Sequence, residues 1–319
     1  MKIAIFGGGG FLGSAICDRL LQDGYSIKIF ERPRINPYRN FKNDEKVEWA
    51  IGDFSSIHDI ETFIDDVDLV VHLVSSTLPR GSNDDMVYDV QSNVVSTLNL
   101  LNAMVTKGVR RIIFISSGGT VYGNPVYTPI DEDHPTNPVV SYGITKLTIE
   151  KYLLLYQRLY GIKTTILRVA NPYGERQRVE AAQGAVGVFL GRALLKESIE
   201  IWGDGGVIRD YIYVGDVANA FLKAIEYDGP ESIFNIGSGM GKSLNDVISE
   251  IEEILEMKFD IKYQPARPFD VPVSILSIEL ALAELGWAPQ VSFRDGIRKT
   301  ASWMAANLNE SSCPTLKLL

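Results

Sequence analysis

The chain opens with a short apolar run, Lys2-Ile3-Ala4-Ile5-Phe6, that passes into four consecutive glycines, Gly7 to Gly10, and then into an amphipathic stretch ending near Gln22. A strand that turns through glycine into a helix is how a βαβ unit begins. The alternation continues down the chain. β-Branched runs at 2–6, 26–30, 47–50, 69–73, 111–115 and 164–169 predict strands, and amphipathic stretches at 10–22, 57–64, 88–106 and 142–159 predict the helices between them. Strands separated by helices assemble into a parallel sheet covered on both faces. The fold class is therefore α/β, a doubly wound parallel sheet of the Rossmann type.

Beyond Val169 the alternation fails, and a Gly-rich, polar and aromatic stretch runs through Gly174, Gly184, Gly203, Gly205 and Gly206. A smaller C-terminal lobe is expected to begin here. Residues 1–170 with about 210–236 are assigned to the sheet domain, and about 171–209 with 237–319 to the lobe. Residues 233–236 read as a returning strand, 244–255 and 278–285 as helices, and the tail after Asn309 as disordered.

Composition limits what such a chain does. With 45% apolar and 22% charged residues it is globular and not disordered, and 31 Lys plus Arg against 40 Asp plus Glu give a net charge of −9. That balance argues against nucleic acid and against anionic membranes, so an anionic ligand needs local positive groups. No apolar run approaches the ~20 residues of a membrane span, and the glycines interrupt the N-terminal run before any secretory cleavage pattern. Cys17 and Cys313 lie far apart, and His58, His72 and His134 have no ligand spacing, so neither a disulfide framework nor a metal is expected. A cytoplasmic protein is the expectation. The 142–159 helix carries Ile144, Leu147, Ile149, Leu153, Leu154, Leu155 and Leu159, apolar on more than one side, which suggests burial beneath the lobe or a homodimer.

Gly7, Gly10 and Gly13 repeat at every third residue across the first turn. They allow the amides of Phe11 and Leu12, at the positive end of a helix dipole, to approach a pyrophosphate. The second strand ends in Glu31, where a carboxylate would bind ribose hydroxyls and repel a 2′-phosphate, so NAD is the expected cofactor. Arg32 and Arg34 offer the opposite, a grip on that phosphate. Asp53 is read as accepting from an adenine amino group or as capping the next helix, a task Ser55 and Ser56 perform equally well.

Tyr142 and Lys146 lie four residues apart and so share one helix face. A lysine and a nicotinamide charge both favour phenolate, which would turn the phenol into a usable base. Ile115-Ser116-Ser117 ends another strand of the same sheet and leads into Gly118-Gly119-Thr120-Val121-Tyr122-Gly123.

Taken in order, these segments resemble the extended short-chain dehydrogenase/reductases, and within them the NAD-dependent nucleotide-sugar epimerase/dehydratase group similar to UDP-glucose 4-epimerases. The likeness runs through Gly52-Asp53, Val71-His72-Leu73, Asn93, Leu167-Arg168-Val169-Ala170-Asn171-Pro172-Tyr173-Gly174 and Gly203-Asp204-Gly205. It continues through Arg209-Asp210-Tyr211, Asn235-Ile236-Gly237, Arg267-Pro268 with Asp270, and Leu285-Gly286-Trp287. The resemblance implies that Tyr142 takes the proton of the sugar C4 hydroxyl and that Lys146 holds the nicotinamide ribose. On the cofactor side it adds Phe54, Leu73, Val74, Ser75, Asn93, Ser116 and Ala170. On the substrate side it implies Ser117, Gly118 and Val188, with Asn171 and Arg209 on the diphosphate, Arg267 and Asp270 on the nucleotide, and Ser274 beside the sugar C2 substituent.

Two departures matter. The family carries Ser or Thr four residues before the tyrosine of the Val-Tyr-Gly segment, and Gly118 stands there. Ser117, Thr120 or neither supplies the missing hydroxyl. Dehydratases of this group carry an Asp-Glu pair where this chain has Gly119 and Thr120, which disfavours dehydration, while a 4-keto-sugar reductase remains the alternative. Two rivals from other classes are a non-catalytic NAD-binding regulator and an ATPase suggested by Gly237-Ser238-Gly239-Met240-Gly241-Lys242-Ser243, one residue too short for a phosphate loop.

Overall fold

The computed structural model describes residues 1–35, 37–77, 81–177, 184–266 and 271–307. Arg267, Asp270, Cys313 and the tail after Asn309 lie outside the described residues. In chain order the first half runs β1 (Lys2–Phe6), α1 (Phe11–Gln22), β2 (Ser26–Glu31), β3 (Val47–Ile51), α2 (Ile57–Phe63), β4 (Leu69–His72) and α3 (Met86–Asp89). A π-helical segment, Val90–Val95, joins α3 to α4 (Ser96–Lys107), followed by β5 (Arg111–Ser117), α5 (Ser141–Tyr160) and β6 (Lys163–Val169). The chain continues as β7 (Asn171–Tyr173), α6 (Ala185–Leu194), β8 (Ile199–Trp202), β9 (Ile208–Tyr213), α7 (Val214–Glu226) and β10 (Ile233–Ile236). It closes with β11 (Gly241–Ser243), α8 (Leu244–Leu255), β12 (Ile261–Gln264), β13 (Val273–Ser274), α9 (Glu279–Leu285) and α10 (Phe293–Asn307).

Seven strands form one parallel sheet in the order β10-β6-β5-β4-β1-β2-β3. The order reverses between β1 and β4, which opens a crevice at their carboxyl ends. Two apolar layers sandwich the sheet. Ile3, Ile5, Ile29, Val71 and Ile113 point toward α1 and α7, and Ala4, Phe6, Phe30, Val70 and Phe114 toward α2, α4 and α5. Successive residues of β1 thus serve opposite faces, as the pleat requires.

After β6 the chain leaves the sheet. β7, β9, β11 and β13 form a small mixed sheet, β8 and β12 a parallel pair, and α6, α8 and α10 close a third apolar cluster around Leu190, Ile201, Val247, Ile251 and Ile297. It returns with α7 and β10. Leu276, Ala281, Leu285 and Trp287, in the stretch expected to belong wholly to the lobe, pack instead on the main core. Among the described residues no helix is long and apolar enough to cross a membrane.

Candidate active site

Gly7 leaves β1 with φ +88°, a left-handed backbone that glycine adopts without strain. A Cβ on Gly13 would stand 2.1 Å from the Gly7 carbonyl oxygen, so the helix packs directly on the turn. A Cβ on Gly10 would meet only that oxygen, at 3.5 Å, and α1 begins without a side-chain cap. The first amides of the helix, including Phe11 and Leu12, are thus offered to an outside anion, which is the cradle a pyrophosphate fits.

Glu31 closes β2 beside this turn. Its carboxylate, 6% exposed, accepts a hydrogen bond from the Gly9 N–H at 2.9 Å, and burial raises its pKa above the usual carboxylate value. Arg32 and Arg34 are exposed. The group at the turn is therefore the carboxylate, as an unphosphorylated ribose requires. Asp53 accepts from the N–H and hydroxyl of Ser55, each at 2.8 Å, while Ser56 caps α2 by accepting from the Asp59 N–H at 3.2 Å. The capping role weighed for Asp53 belongs to Ser56.

The other wall of the crevice follows β4. Leu73, Val74 and Ser75 are half-buried, and Leu73 and Val74 approach within 3.5 Å of where a Gly7 Cβ would be. Phe54 stands between Phe6 and His72, with ring centroids 5.2 and 5.1 Å apart, and Ala170 is buried at the end of β6. Asn93, expected on the cofactor side, is already engaged within the protein. Its amide oxygen accepts from the Ser76 N–H at 2.9 Å and its nitrogen donates to Asp89 at 2.9 Å, so it acts on the loop after β4. Ser116 likewise gives its hydroxyl to Glu150 inside a buried network.

Tyr142 and Lys146 stand on the first turns of α5. Val140, the residue at its N-cap, has no side-chain acceptor, and the caps come from elsewhere: Asn83 accepts from the Ser141 N–H at 2.9 Å and Ser82 from the Tyr142 N–H at 3.0 Å. Gly143 is dictated by packing, since a Cβ there would lie 2.9 Å from the Thr120 carbonyl oxygen. Lys146 reaches the carboxyl end of β5, donating to the Ile115 carbonyl at 3.0 Å, with its Nζ 4.7 Å from the Phe114 ring centroid and 5.7 Å from that of Tyr142. The pair therefore sits at the same sheet edge as the glycine turn.

The electrostatics differ from the sequence expectation. Burial, and then the negative charge of Asp89, push the Tyr142 phenol up to about 12, so in the chain alone the nearby ammonium does not make it a base. Burial pulls Lys146 down to about 8, against the opposing pull of Glu150 and Asp89. Below pH 8 both folded and unfolded lysine are protonated, and burying the charge destabilises the fold. Between about 8 and 10.5 the unfolded chain binds more protons, so stability rises with pH across that window. Lys146→Met should therefore stabilise the cofactor-free protein at pH 7, by about 1–3 kcal/mol, since each tenfold loss of proton affinity on folding corresponds to ~1.4 kcal/mol. Urea midpoints should converge toward pH 10.5. A variant less stable than wild type at pH 7 would mean that the Ile115 bond outweighs desolvation.

Gly118 has a structural reason. A Cβ there would lie 2.5 Å from Leu276 Cδ1 and 2.9 Å from the Arg168 carbonyl oxygen. Leucine thus fills the place of the family hydroxyl. Of the two substitutes, Thr120 has a buried Oγ1 with no partner among the described residues, and Ser117 is half-buried at the end of β5.

On the lobe side, a Cβ on Gly119 would stand 3.8 Å from the Asn171 Oδ1, and the Asn171 amide donates to the Asp210 carbonyl at 2.9 Å. Arg209 donates to the carbonyls of Ile208 and Val271, at 2.9 and 2.6 Å, and pairs in register with Ser274, which is 4% exposed. Val188 lies half-buried in the lobe cluster. The ATPase rival fails on geometry: the Asp210 carboxylate accepts from the N–H groups of Ser238 and Gly239, at 2.7 and 3.2 Å, so an internal anion fills the loop, and Gly241–Ser243 continues as a strand.

Sequence reading gave no role to several groups. Glu150 and Arg168, 1% and 2% exposed, form an ion pair at 2.7 Å, and Arg168 also donates to the Tyr122 hydroxyl at 2.9 Å. Asp89 and the capping pair Ser82 and Asn83 were also unmarked. The available signal was their polarity next to apolar runs, which is shared by ordinary surface residues. Among the described residues no cluster of three or more His, Cys, Asp or Glu could hold a metal ion.

A glycine turn at the switch point of a doubly wound sheet, with a phenol and an ammonium at the same edge, defines an NAD-dependent enzyme of the short-chain dehydrogenase/reductase class. Residues 3–237 match the NAD dependent epimerase/dehydratase family, and the chain belongs to it. It is 34% identical, with a TM-score of 0.92, to a UDP-glucose 4-epimerase from Thermotoga maritima crystallised with UDP-glucose, covering 97% of this chain and 100% of that one. It is 29% identical, with a TM-score of 0.90, to a UDP-N-acetylglucosamine 4-epimerase from Methanobrevibacter ruminantium, covering 96% and 99%. A dTDP-4-dehydro-6-deoxyglucose reductase from Escherichia coli is 35% identical over 93% of this chain and 95% of its own length.

Proposed function

We propose that the chain interconverts the C4 epimers of a nucleotide-diphosphate hexose through a bound 4-keto sugar, with UDP-Glc/Gal, UDP-GlcNAc/GalNAc or both as substrates. The observation that carries this reading is the placement of Tyr142 and Lys146 at the carboxyl edge that holds the glycine turn. NAD supplies the hydride acceptor and donor. Tyr142 takes the proton of the C4 hydroxyl and gives it back to the same oxygen, inversion at C4 following from the hydride's return to the other face of the ketone, and Lys146 holds the ribose and steadies the phenolate. The Thr120 hydroxyl, buried and unpartnered among the described residues, or that of Ser117, serves the C4 oxygen. Asn171 and Arg209 face the diphosphate, and the small Ser274 leaves room for an N-acetyl group. Gly119 and Thr120 lack the carboxyls that a dehydratase needs.

The 35% identical reductase relative supports a second reading, reduction of a 4-keto sugar by exchangeable NAD(P)H. Incubation without added cofactor with UDP-Glc, UDP-GlcNAc and a dTDP-4-keto sugar, followed by NMR, separates the two. C4 inversion supports epimerisation, and reduction only when NAD(P)H is added supports the reductase. Turnover of glucose with none of either N-acetylated sugar would remove the role given to Ser274.

We also propose a homodimer. Val87, Tyr88, Val90 and Val95 along α3 and the π segment, and Ile144, Leu155 and Leu159 on α5, are exposed on neighbouring helices, and a second copy would cover them. Sedimentation at the mass of one chain would exclude it.

A further inference from the structure

One buried carboxylate beside this chemistry has no part in it. Asp89, fully buried, ends α3 where the helix widens into the π segment, a distortion that tends to mark functional positions. Its two oxygens serve different parts of the molecule. Oδ1 accepts from the Thr77 hydroxyl and, at 2.9 Å, from the Asn93 amide. Oδ2 accepts from the Ser141 hydroxyl at 2.6 Å and the Thr145 hydroxyl at 2.8 Å. Thr77 and Asn93 shape the loop after β4, since Asn93 holds the Ser76 N–H and the Thr77 carbonyl accepts from the Ser75 hydroxyl at 3.0 Å. Ser141 and Thr145 bracket Tyr142 on α5, and Thr145 immediately precedes Lys146. Four donors on one carboxylate keep a buried charge tolerable.

We propose that Asp89 is a positioning residue that ties the loop lining the cofactor crevice to the helix carrying Tyr142 and Lys146, so that one carboxylate sets both. What is being positioned rests on the function proposed above, whereas the linkage itself does not. The charge adds a second consequence. The charged groups that bear on the phenol are Asp89 from α3 and Lys146 from α5, and Lys146 in turn interacts with Glu150 on α5 and with His72 on β4, which burial and then Lys146 hold neutral down to about 3. Asp89 works against phenolate, so losing its charge moves the acid limb of kcat to lower pH.

The test begins with hydrogen exchange on cofactor-free wild type and Asp89→Asn. Amides of 75–77 and of 141–145 should both exchange at least about fivefold faster, and Thr77→Val alone should loosen 141–145. Acceleration confined to one segment overturns the linkage. On a sugar that wild type turns over, Asp89→Asn should lower kcat by about 10–10²-fold, as small misplacements do, with the acid limb shifted to lower pH. An unchanged profile overturns the electrostatic part. Should Asp89→Asn not fold, a cycle of Thr77→Val and Thr145→Val decides the linkage, because multiplicative losses in kcat would show two unconnected bonds and a smaller combined loss a shared one. A wild type inactive on every nucleotide sugar would sink the proposed function and leave the exchange result standing.

Discussion

Tyr142→Phe should reduce kcat by about 10²–10⁴-fold, the range contributed by a positioned proton-transfer group, while the protein stays folded and retains NAD. The substitution keeps the ring and the Ser82 cap on the backbone N–H, so the helix start should not move. The combination to look for is lost turnover with unchanged nucleotide content in the denatured supernatant. Turnover near the wild-type value would remove the phenol from the chemistry and revive the regulator reading.

The second large effect concerns stability. Arg168 and Glu150 are buried to within 2% of full enclosure, and Glu150 also receives the Ser116 hydroxyl. Removing one partner leaves a charge without compensation, so Arg168→Met is expected to destabilise by about 3–5 kcal/mol. Adding Glu150→Leu should recover most of that loss, because two apolar side chains replace a pair whose attraction barely offsets its desolvation. Urea unfolding at pH 7 measures both. A single variant as stable as wild type would mean that water or a shifted backbone relieves the stranded carboxylate.

The sheet was legible because its rules are local. Strands predicted at 2–6, 26–30, 47–50 and 164–169 differ from the observed ones by at most a residue at either end, since β-branched runs bounded by turns have few alternatives. The helix expected over 88–106 begins at Met86 and passes through the π segment, which no periodicity announces. The lobe was opaque for another reason. β7, β11 and β13 are short, and β9 pairs with strands from both sides of it in sequence, so their stability lies in tertiary contacts that a window of residues does not contain. Tyr142 and Lys146 were readable from spacing, but the rise of the phenol was not, because it comes from burial and from Asp89, 53 positions earlier. Arg168 stood inside a marked motif with no role until its carboxylate partner on the preceding helix, α5, came into view.

The leucine at 276 makes position 118 a question of two sites at once. Grafting the missing hydroxyl would drive a new side chain into an isobutyl group and a main-chain oxygen within 3 Å, and trimming the leucine alone would leave a hole beneath a glycine. Each change alone carries a cost, and the Arg168 carbonyl oxygen would still crowd a new side chain at 118 with the leucine trimmed. Comparing motifs one position at a time would miss this coupling, and a redesign of this end of the crevice has to make room at the leucine and at the main chain together.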